Sequence, residues 1–552
     1  MSILVSGIVL PWNGTEAEAS ALALKKLGLR QGRSAPVAVH KLSFDFRHGT
    51  PSRIYSMEVF LGDGEAELVQ KRNDPQIRLR ASSALPRPTG KKSLDHPPVI
   101  VGFGPAGMFA ALVLAKNGYR PIVLERGDSL EVRDKKVDAF FQGGSLDPQS
   151  NIQFGEGGAG AYSDGKFNIT SEFGGWMTDY LEDTVVENLI KYVDSINLEF
   201  GAPIEITDPT TAKVREIERR GYAVGLKLLR AKVRHSGTEQ NLEILKKIYH
   251  HLEDKITMIF KTKVTEVMIE GNTIKGIKTA NDEYYADKVV LAVGRDGAKW
   301  LSDVCTSNGI RMSNNQVDVG VRVETNDIIM EEINKHLYEG KFLYRSSVGT
   351  TVRTFCSNPS GHVVVENHSG IMLANGHAYN DPSLGSRNTN FALLVSHKFS
   401  EPFDKPNEYA SEVSRLANQL SMGSVIIQRY GDLKRGRRSN KNRISEGFVI
   451  PTLKEAVPGD LGLVLPYNTM KSLIEMIEAL DHVTPGIASD HTLFYGVEAK
   501  FYSARPEVND KFETKINGLY VAGDGAGLTR GLAQAEANGV WVARDIVNSL
   551  TK

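Results

Sequence analysis

The pattern of apolar and polar positions changes character twice along the chain. Up to about residue 80, period-two alternation predicts strands over 3–10, 37–46 and 54–61, with a helix over 16–27 and short elements over 67–71 and 77–81. This is the pattern of a small α+β unit, and a ferredoxin-like arrangement fits it. Residues 82–98 carry Pro86, Pro88, Gly90, Pro97 and Pro98 and cannot hold a helix or a central strand, so they read as a linker. From Val99 onward the order becomes apolar strand, glycine-rich turn, helix, strand, which announces an α/β layer. Amphipathic helices follow over 179–200, where Leu181, Val185, Leu189, Val193 and Ile196 share a face, and over 240–253. Strands are expected over 257–267, 273–279 and 288–293. Residues 311–499 mix strands (317–323, 362–366) with helices (408–420, 470–480), and the tail returns to strand, glycine turn and helix. No repeat of fixed period is present.

Composition narrows the class. The 552 residues carry 66 basic and 66 acidic side chains, with 41% hydrophobic and 24% charged. That is an ordinary soluble globular profile, long enough for several domains. The balanced charge lacks the basic footprint of a dedicated nucleic-acid binder, so no nucleic-acid partner is expected. Cys305 and Cys356 form neither a zinc spacing nor a disulfide framework, which favours a reducing, cytoplasmic setting. The first ten residues lack a basic region and a cleavage site. The apolar stretch 99–115 is broken by Gly102, Gly104, Pro105 and Gly107, so no membrane span is expected.

Those interruptions carry the chemistry. Gly102, Gly104 and Gly107 form G-x-G-x-x-G between a strand and a helix, with Pro105 and Ala106 opening the helix. The first glycine permits the tight turn, the second lets backbone approach a pyrophosphate, and the third lets helix and strand pack closely. The next strand ends in Glu125, followed by Arg126, where a carboxylate can accept ribose hydroxyls. A plain glycine turn in a βαβ unit is the alternative. At the other end, Leu519-Tyr520-Val521-Ala522-Gly523-Asp524 reads as a strand ending at an aspartate in a glycine turn, with a helix after it over 533–550.

This composite resembles the flavoproteins with two dinucleotide-binding domains, and the resemblance implies FAD. By it, Asp524 would hold a ribityl hydroxyl, and the helix start at Leu532 and Ala533 would point at the flavin pyrimidine. Gly294 would lie in the glycine segment before the chain leaves for the substrate domain, and Val264 would meet the adenine edge through its backbone. The glycine cluster over 155–165, with Gly157, Gly158, Gly160 and Ser163, suits backbone lying against a flat ring or diphosphate; a mobile surface loop is the alternative. The second G-x-G-x-x-G, over 155–160, has no strand before it or helix after it, so a separate NADPH domain is not expected. The electron donor or acceptor stays unidentified.

Further runs narrow the resemblance. Gly155-Glu156-Gly157-Gly158-Ala159-Gly160, Val317-Asp318-Val319-Gly320-Val321-Arg322, Arg353-Thr354-Phe355-Cys356, Gly436-Arg437-Arg438-Ser439 and the segment from Tyr495 to Tyr502 are similar to bacterial FAD-dependent dehydrogenases of unassigned substrate. These carry a small N-terminal α/β domain, and the similarity runs from about Val37 to the end. It implies an α/β fold: a glutathione-reductase-like, Rossmann-type FAD domain in two parts (99–310 and 500–552), an inserted α+β substrate domain (311–499) and the ferredoxin-like domain (1–81). The family often has a second cysteine soon after R-T-F-C; here Cys356 is followed by Ser357, Asn358 and Pro359, so a redox pair is not expected. Cys356 is either a buried small hydrophobe or a thiol facing the flavin; Cys305 is structural. Lys166, Arg353 and Cys356 are the catalytic candidates. Residues 429–443 hold seven basic residues and one acid, Asp432. They are either a solvated loop or an anion site in which Arg437 and Arg438 would bind substrate. His362, His368, His377 and His491 lack ligand spacing, and no metal is expected. The expected function is an FAD-dependent oxidoreductase, a dehydrogenase or reductase, acting on a small substrate that the basic run would make anionic. The alternative is a flavin-containing RNA-modifying or redox-sensing binding protein.

Overall fold

The computed structural model describes residues 2–11, 13–29, 37–45, 52–59, 61, 65–80, 88, 90, 92–141, 147, 149–163, 165–207, 209–337, 340–368, 370–378, 382–403 and 405–550. The chain divides into two compact units, residues 1–87 and 88–552. Part of the predicted linker, 81–87, 89 and 91, lies outside the described residues.

In the first unit, strands Ser2–Pro11, Val37–Asp45, Ser52–Val59 and Ile77–Arg80 form one antiparallel sheet with the sequential strands in the order second, third, first, fourth. Helices Glu16–Lys26 and Glu65–Arg72 connect them. The first helix starts with a capping box: the Glu18 amide donates to Thr15 Oγ1 (3.3 Å) and the Thr15 amide donates to Glu18 Oε2 (2.8 Å). Its Ala19 and Ala23, small enough for close approach, pack with Ile3, Val5, Tyr55, Met57 and Val59 to make the core of this unit.

The second unit is built on a five-stranded parallel sheet in the order Thr257–Ile259, Ile122–Leu124, Val99–Val101, Val289–Leu291, Leu519–Val521. The central three-residue strands are apolar and buried, as a sheet covered on both faces requires. Together with its helices this is a mixed α/β, Rossmann-type layer. The stretch 257–267, expected as one strand, is two. Lys261 takes a left-handed conformation (φ 55°), and the amides of Lys261 and Thr262 donate to the carbonyls of Gly127 and Glu125. The chain thereby turns out of the parallel sheet, and Val264–Glu270 instead begins a three-stranded antiparallel sheet.

Helix Pro105–Lys116 and the C-terminal helix Leu532–Asn548 cross against one another where a glycine removes the side chain: a Cβ on Gly539 would lie 2.0 Å from the Ala106 carbonyl oxygen. The largely buried C-terminal helix is therefore seated directly on helix Pro105–Lys116. Helix Leu130–Phe141, which the apolar pattern did not announce, follows the second strand of the layer.

An eight-stranded sheet makes the rest. Its order is Val457–Pro458, Ile426–Arg429, Leu493–Lys500, Val317–Asn326, Asn388–His397, Thr351–Asn358, Lys341–Arg345, Leu226–Leu229. Its edge strand 226–229 comes from the stretch read as the first part of the nucleotide-binding fold. In the central strand, Val317, Val319, Val321 and Val323 share the core with Leu473, Met476, Ile477 and Leu480 of helix Tyr467–Asp481. The opposite face of that strand carries Asp318, Gly320, Arg322 and Glu324, and the three charged side chains are 0%, 1% and 0% exposed. An alternating strand ordinarily turns its polar face to water; this one encloses it. Among the described residues no helix is long and apolar enough to cross a membrane.

Replacing Gly539 with alanine should lower the thermal unfolding midpoint, by overpacking that costs about 1–3 kcal/mol, because the atom it meets is backbone. An unchanged midpoint in differential scanning calorimetry would show that the two helices can separate at no cost.

Candidate functional site

The site begins where two helix starts lack a capping side chain. Gly104 is the N-cap of helix Pro105–Lys116 and Gly531 that of helix Leu532–Asn548, and neither offers a side-chain acceptor to the first amides. Each start therefore leaves its first N–H donors without a capping side chain among the described residues, at the positive end of a helix dipole. The two are neighbours: a Cβ on Gly160 would lie 2.8 Å from Pro105 Cγ and 2.9 Å from Leu532 Cδ2. A Cβ on Gly525 would lie 2.2 Å from the Gly294 oxygen, and one on Gly523 3.2 Å from Ala106 Cβ. Gly102, Gly104, Pro105, Ala106, Gly107, Gly158, Gly160, Gly294, Gly523, Leu532 and Ala533 are thus brought together at the ends of adjacent strands and helices.

The glycines divide by what confines them. Gly102 has φ 97°, and a Cβ there would lie 2.4 Å from the Ala292 oxygen; a Cβ on Gly107 would lie 2.0 Å from the Gly102 oxygen. Both are dictated by backbone packing. Gly104 differs: its φ of −79° suits any residue, and its Cβ would meet only Gly158 Cα, at 3.7 Å. Among the described residues nothing packed against it demands glycine.

Glu125 ends its strand buried and accepts three backbone amides, Phe103 on Oε2 (3.0 Å) and Gly127 and Gly155 on Oε1 (2.9 and 3.1 Å). It thereby ties the turn before helix Pro105–Lys116 to the glycine cluster. Arg126 lies over the Phe154 ring, 3.3 Å from the centroid, and pairs with Asp296 at 2.8 Å. The cluster is not a free loop. Arg133, fully buried on the unannounced helix, donates to the carbonyls of Asn151 (2.7 Å), Glu156 (2.5 Å) and Gly158 (2.8 Å) and lies over the Tyr162 ring. Asn241 Nδ2 donates to the Gly160 carbonyl (2.8 Å), the Gly157 amide donates to the Phe103 carbonyl (2.9 Å), and Ser163 Oγ donates to the Gly160 carbonyl (2.8 Å), so this hydroxyl closes the local turn. Glu156 accepts the Leu130 amide at 2.8 Å at the start of Arg133's helix; burial pushes its carboxyl up to about 7, against the pull of that amide and Arg133.

At the C-terminal end, Asp524 accepts from Thr529 Oγ1 at 2.7 Å; burial pushes its carboxyl up, opposed by Arg295, Thr529 and Arg530. Backbone bonds from Trp176 N–H to the Leu528 carbonyl (2.8 Å) and from Arg530 N–H to the Gly174 carbonyl (2.7 Å) lash segment 174–176 to this turn. Trp176 meets the Tyr502 ring edge-on at 5.0 Å. Tyr502 donates its hydroxyl to Asp318, which also accepts Arg353 (2.9 Å) and Ser396 (2.6 Å). The enclosed polar face of the large sheet therefore reaches the same turn that holds Asp524. Further along that face Arg322 donates to Asn390 (2.8 Å) and the Cys356 carbonyl (3.2 Å) and pairs with Glu498 at 3.5 Å. Glu498, 0% exposed, has Lys500 at 3.0 Å but accepts no hydrogen bond.

The remaining expected residues fall as follows. Val264 is buried at the start of its strand, paired with Thr279. Lys166 opens strand Lys166–Ile169, opposite His235. Arg353 spends a nitrogen on Asp318. Cys356 is exposed, which corrects the reading as a buried hydrophobe: strand Thr351–Asn358 shifts register between Thr354 and Ser357, so the alternation that would bury it is broken. Cys305 is buried, and burial pushes its thiol up to about 11. In the basic run, Arg437 donates to Asp432 (2.7 Å), Arg435 pairs with Asp490 (2.7 Å) and Lys434 with Glu478 (3.2 Å), while Arg438 is exposed and reaches the Pro458 carbonyl at 3.4 Å. Much of the run is neutralised by Asp432 within it and by Asp490 and Glu478 outside it. Arg133, Asn241, Trp176 and Arg530 were missed, and no local pattern marks them; Asp318 and Tyr502 stood inside recognisable runs without a role.

Residues 316–501 match the family model described as FAD-dependent protein, C-terminal domain-like, which ties FAD to this chain. An uncharacterized protein of Clostridium beijerinckii is 28% identical over 545 residues, covering 95% of this chain and 94% of its own. Among solved structures, the chain is similar to pyridoxine 4-oxidase from Mesorbium loti (TM-score 0.38, 12% identity, 82% of this chain, 99% of that one) and glycine oxidase from Geobacillus kaustophilus (TM-score 0.34, 12% identity, 82% and 95%). Likenesses of that degree assign no activity.

Two variants test the clamp. Arg133→Met strands three carbonyls, and hydrogen exchange should speed at the amides of Gly155 to Gly158 with a loss of about 3 kcal/mol or more; unchanged exchange would remove Arg133 from this role. Glu156 has a raised folded-state pKa, so its contribution is greatest below its ordinary value of 4.5 and is lost as pH rises through about 7. The wild type should therefore lose about 3 kcal/mol relative to Glu156→Gln between those limits, and parallel pH profiles of the unfolding midpoint would exclude it.

Proposed function

We propose that the chain is an FAD-dependent oxidoreductase, a dehydrogenase or reductase acting on a small anionic substrate. The carrying observation is Gly104, a glycine that neither conformation nor protein packing requires, at an uncapped helix start. A group from outside the protein accounts for it: the pyrophosphate of FAD, accepting the free amides of helix Pro105–Lys116. Around it the donors and acceptors fit the rest of the cofactor. Glu125 retains acceptor capacity for ribose hydroxyls beyond its three amides. The backbone at Val264 would meet adenine, Asp524 and Thr529 a ribityl hydroxyl, and the start of helix Leu532–Asn548 the pyrimidine end, whose developing negative charge the helix dipole favours. Bound FAD would supply two-electron redox chemistry.

The protein's own part is to orient and to exclude water. Arg133 and Asn241 hold the glycine cluster against the phosphate turn, while the enclosed face around Asp318, Arg353 and Tyr502 presents fixed polar groups to a substrate. The electron partner is unidentified. We further read 99–310 and 500–552 as the two parts of a glutathione-reductase-like FAD domain, 311–499 as the inserted substrate domain, 82–98 as a linker and 1–81 as a ferredoxin-like domain; its strand order supports that last reading. Two unpaired cysteines suit a cytoplasmic setting.

Gly104→Val tests the reading. Its Cβ meets only ordinary contact, so the variant should fold with a loss of only about 1 kcal/mol from the poorer N-cap yet emerge without flavin, whereas Gly107→Ala should lose more stability as well. A Gly104→Val protein that carries FAD in full stoichiometry would refute the site.

A further inference from the structure

Three guanidinium groups surround the Trp176–Tyr502 pair, and two of them are neutralised. Arg353 meets Asp318 at 2.9 Å, and Arg505, lying over the Trp176 ring at 4.8 Å, meets Asp179 at 2.6 Å. Arg530 lies over the Tyr502 ring, 4.5 Å from the centroid, half-buried and with neither an ion pair nor a hydrogen-bond acceptor for its guanidinium among the described residues. A ring contact leaves the in-plane N–H donors unused, and a partly desolvated cation without an acceptor is costly. The group is also fixed in place: its backbone is tied to Gly174, and its aromatic platform is held by the buried bond from the Tyr502 hydroxyl to Asp318. A planar fork, preorganised on a ring and lacking an anion, is matched by a carboxylate that accepts two parallel N–H bonds.

We propose that Arg530, braced on Tyr502, is the subsite that binds the carboxylate of a small organic acid substrate. This rests on the flavin reading above and moves the anion site from the basic run at Arg437 and Arg438 to the turn between Asp524 and the C-terminal helix. Because Arg530 immediately precedes Gly531, an acid bound there lies at the edge of the proposed flavin position.

The test is a titration of the flavin-loaded protein with benzoate and, separately, with inorganic phosphate, following the visible flavin spectrum. Wild type should show a saturable spectral change with benzoate and a weaker response to phosphate. Arg530→Met should raise the benzoate Kd by about ten- to a hundred-fold, as the loss of charge-assisted hydrogen bonds implies, with flavin content unchanged, and Arg530→Lys should fall between. An unaltered benzoate Kd in Arg530→Met overturns the proposal, as does a coloured wild type that responds to phosphate alone or to neither. Loss of flavin from Arg530→Met would overturn it too, by assigning the side chain to the cofactor. A wild type that never takes up flavin would instead sink the functional reading on which this rests.

Discussion

Backbone lying directly on backbone is the constraint on which the second unit depends. The first strand–helix turn closes because Gly107 lets its helix reach the Gly102 oxygen; the C-terminal helix seats on that helix through Gly539 and Ala106; and the C-terminal turn meets the central one through Gly525 and Gly294. At each point a Cβ would come within 2.2 Å of a carbonyl oxygen, a distance that no rotamer change relieves. Segments some four hundred residues apart in the chain are thereby held at a spacing set by peptide groups alone. Two uncapped helix starts then face the same region, and the positive ends of their dipoles add there.

The large sheet solves a different problem. Its central strand buries Asp318, Arg322 and Glu324, and charges enclosed in this way are tolerated only when paired and hydrogen-bonded. Asp318 accepts Tyr502, Arg353 and Ser396, while Glu324 accepts Tyr495 (2.5 Å), Thr452 Oγ1 (2.5 Å) and Asn388 (3.0 Å). An apolar face would have been cheaper to bury. Most of these groups are held by fixed partners, while Glu498 beside Arg322 accepts no hydrogen bond.

How much of this was legible depends on whether backbone or side chains do the work. The Gly102–Gly107 turn, Glu125 and the Asp524 turn are local patterns of glycine and acid between apolar runs, and the strands and helices expected around them form there. The alternation Val317-Asp318-Val319-Gly320-Val321-Arg322 showed which residues share a face. It could not show that the polar face is covered, because cover comes from Tyr502 and from the hairpin of strands His362–His368 and Ile371–His377, whose Gly376 lies against the Arg322 guanidinium. Arg133 was invisible for the same reason: nothing in its own helix says that three carbonyls more than fifteen positions away lie around its guanidinium. Cys356 was misplaced by a register shift that alternation cannot foresee, and the basic run looked available because Asp432, Asp490 and Glu478 neutralise it only in three dimensions.

The same division explains why a cofactor is easier to read from this chain than a substrate. A cradle made of amides and missing side chains tolerates almost any neighbouring sequence, so its glycines persist as a recognisable spacing. A substrate face made of side chains from separate strands leaves no spacing at all; each position is decided by what opposes it across the sheet. Arg530 stands at the junction of the two. It is held by backbone to segment 174–176, like the cradle, but its chemistry depends on Tyr502 and on having no ion-pair partner among the described residues, like the face. Selectivity in such an arrangement resides in which guanidinium is left unpaired: were Asp179 or Asp318 removed, Arg505 or Arg353 would lose its ion-pair partner, and a different cation would be open to a ligand.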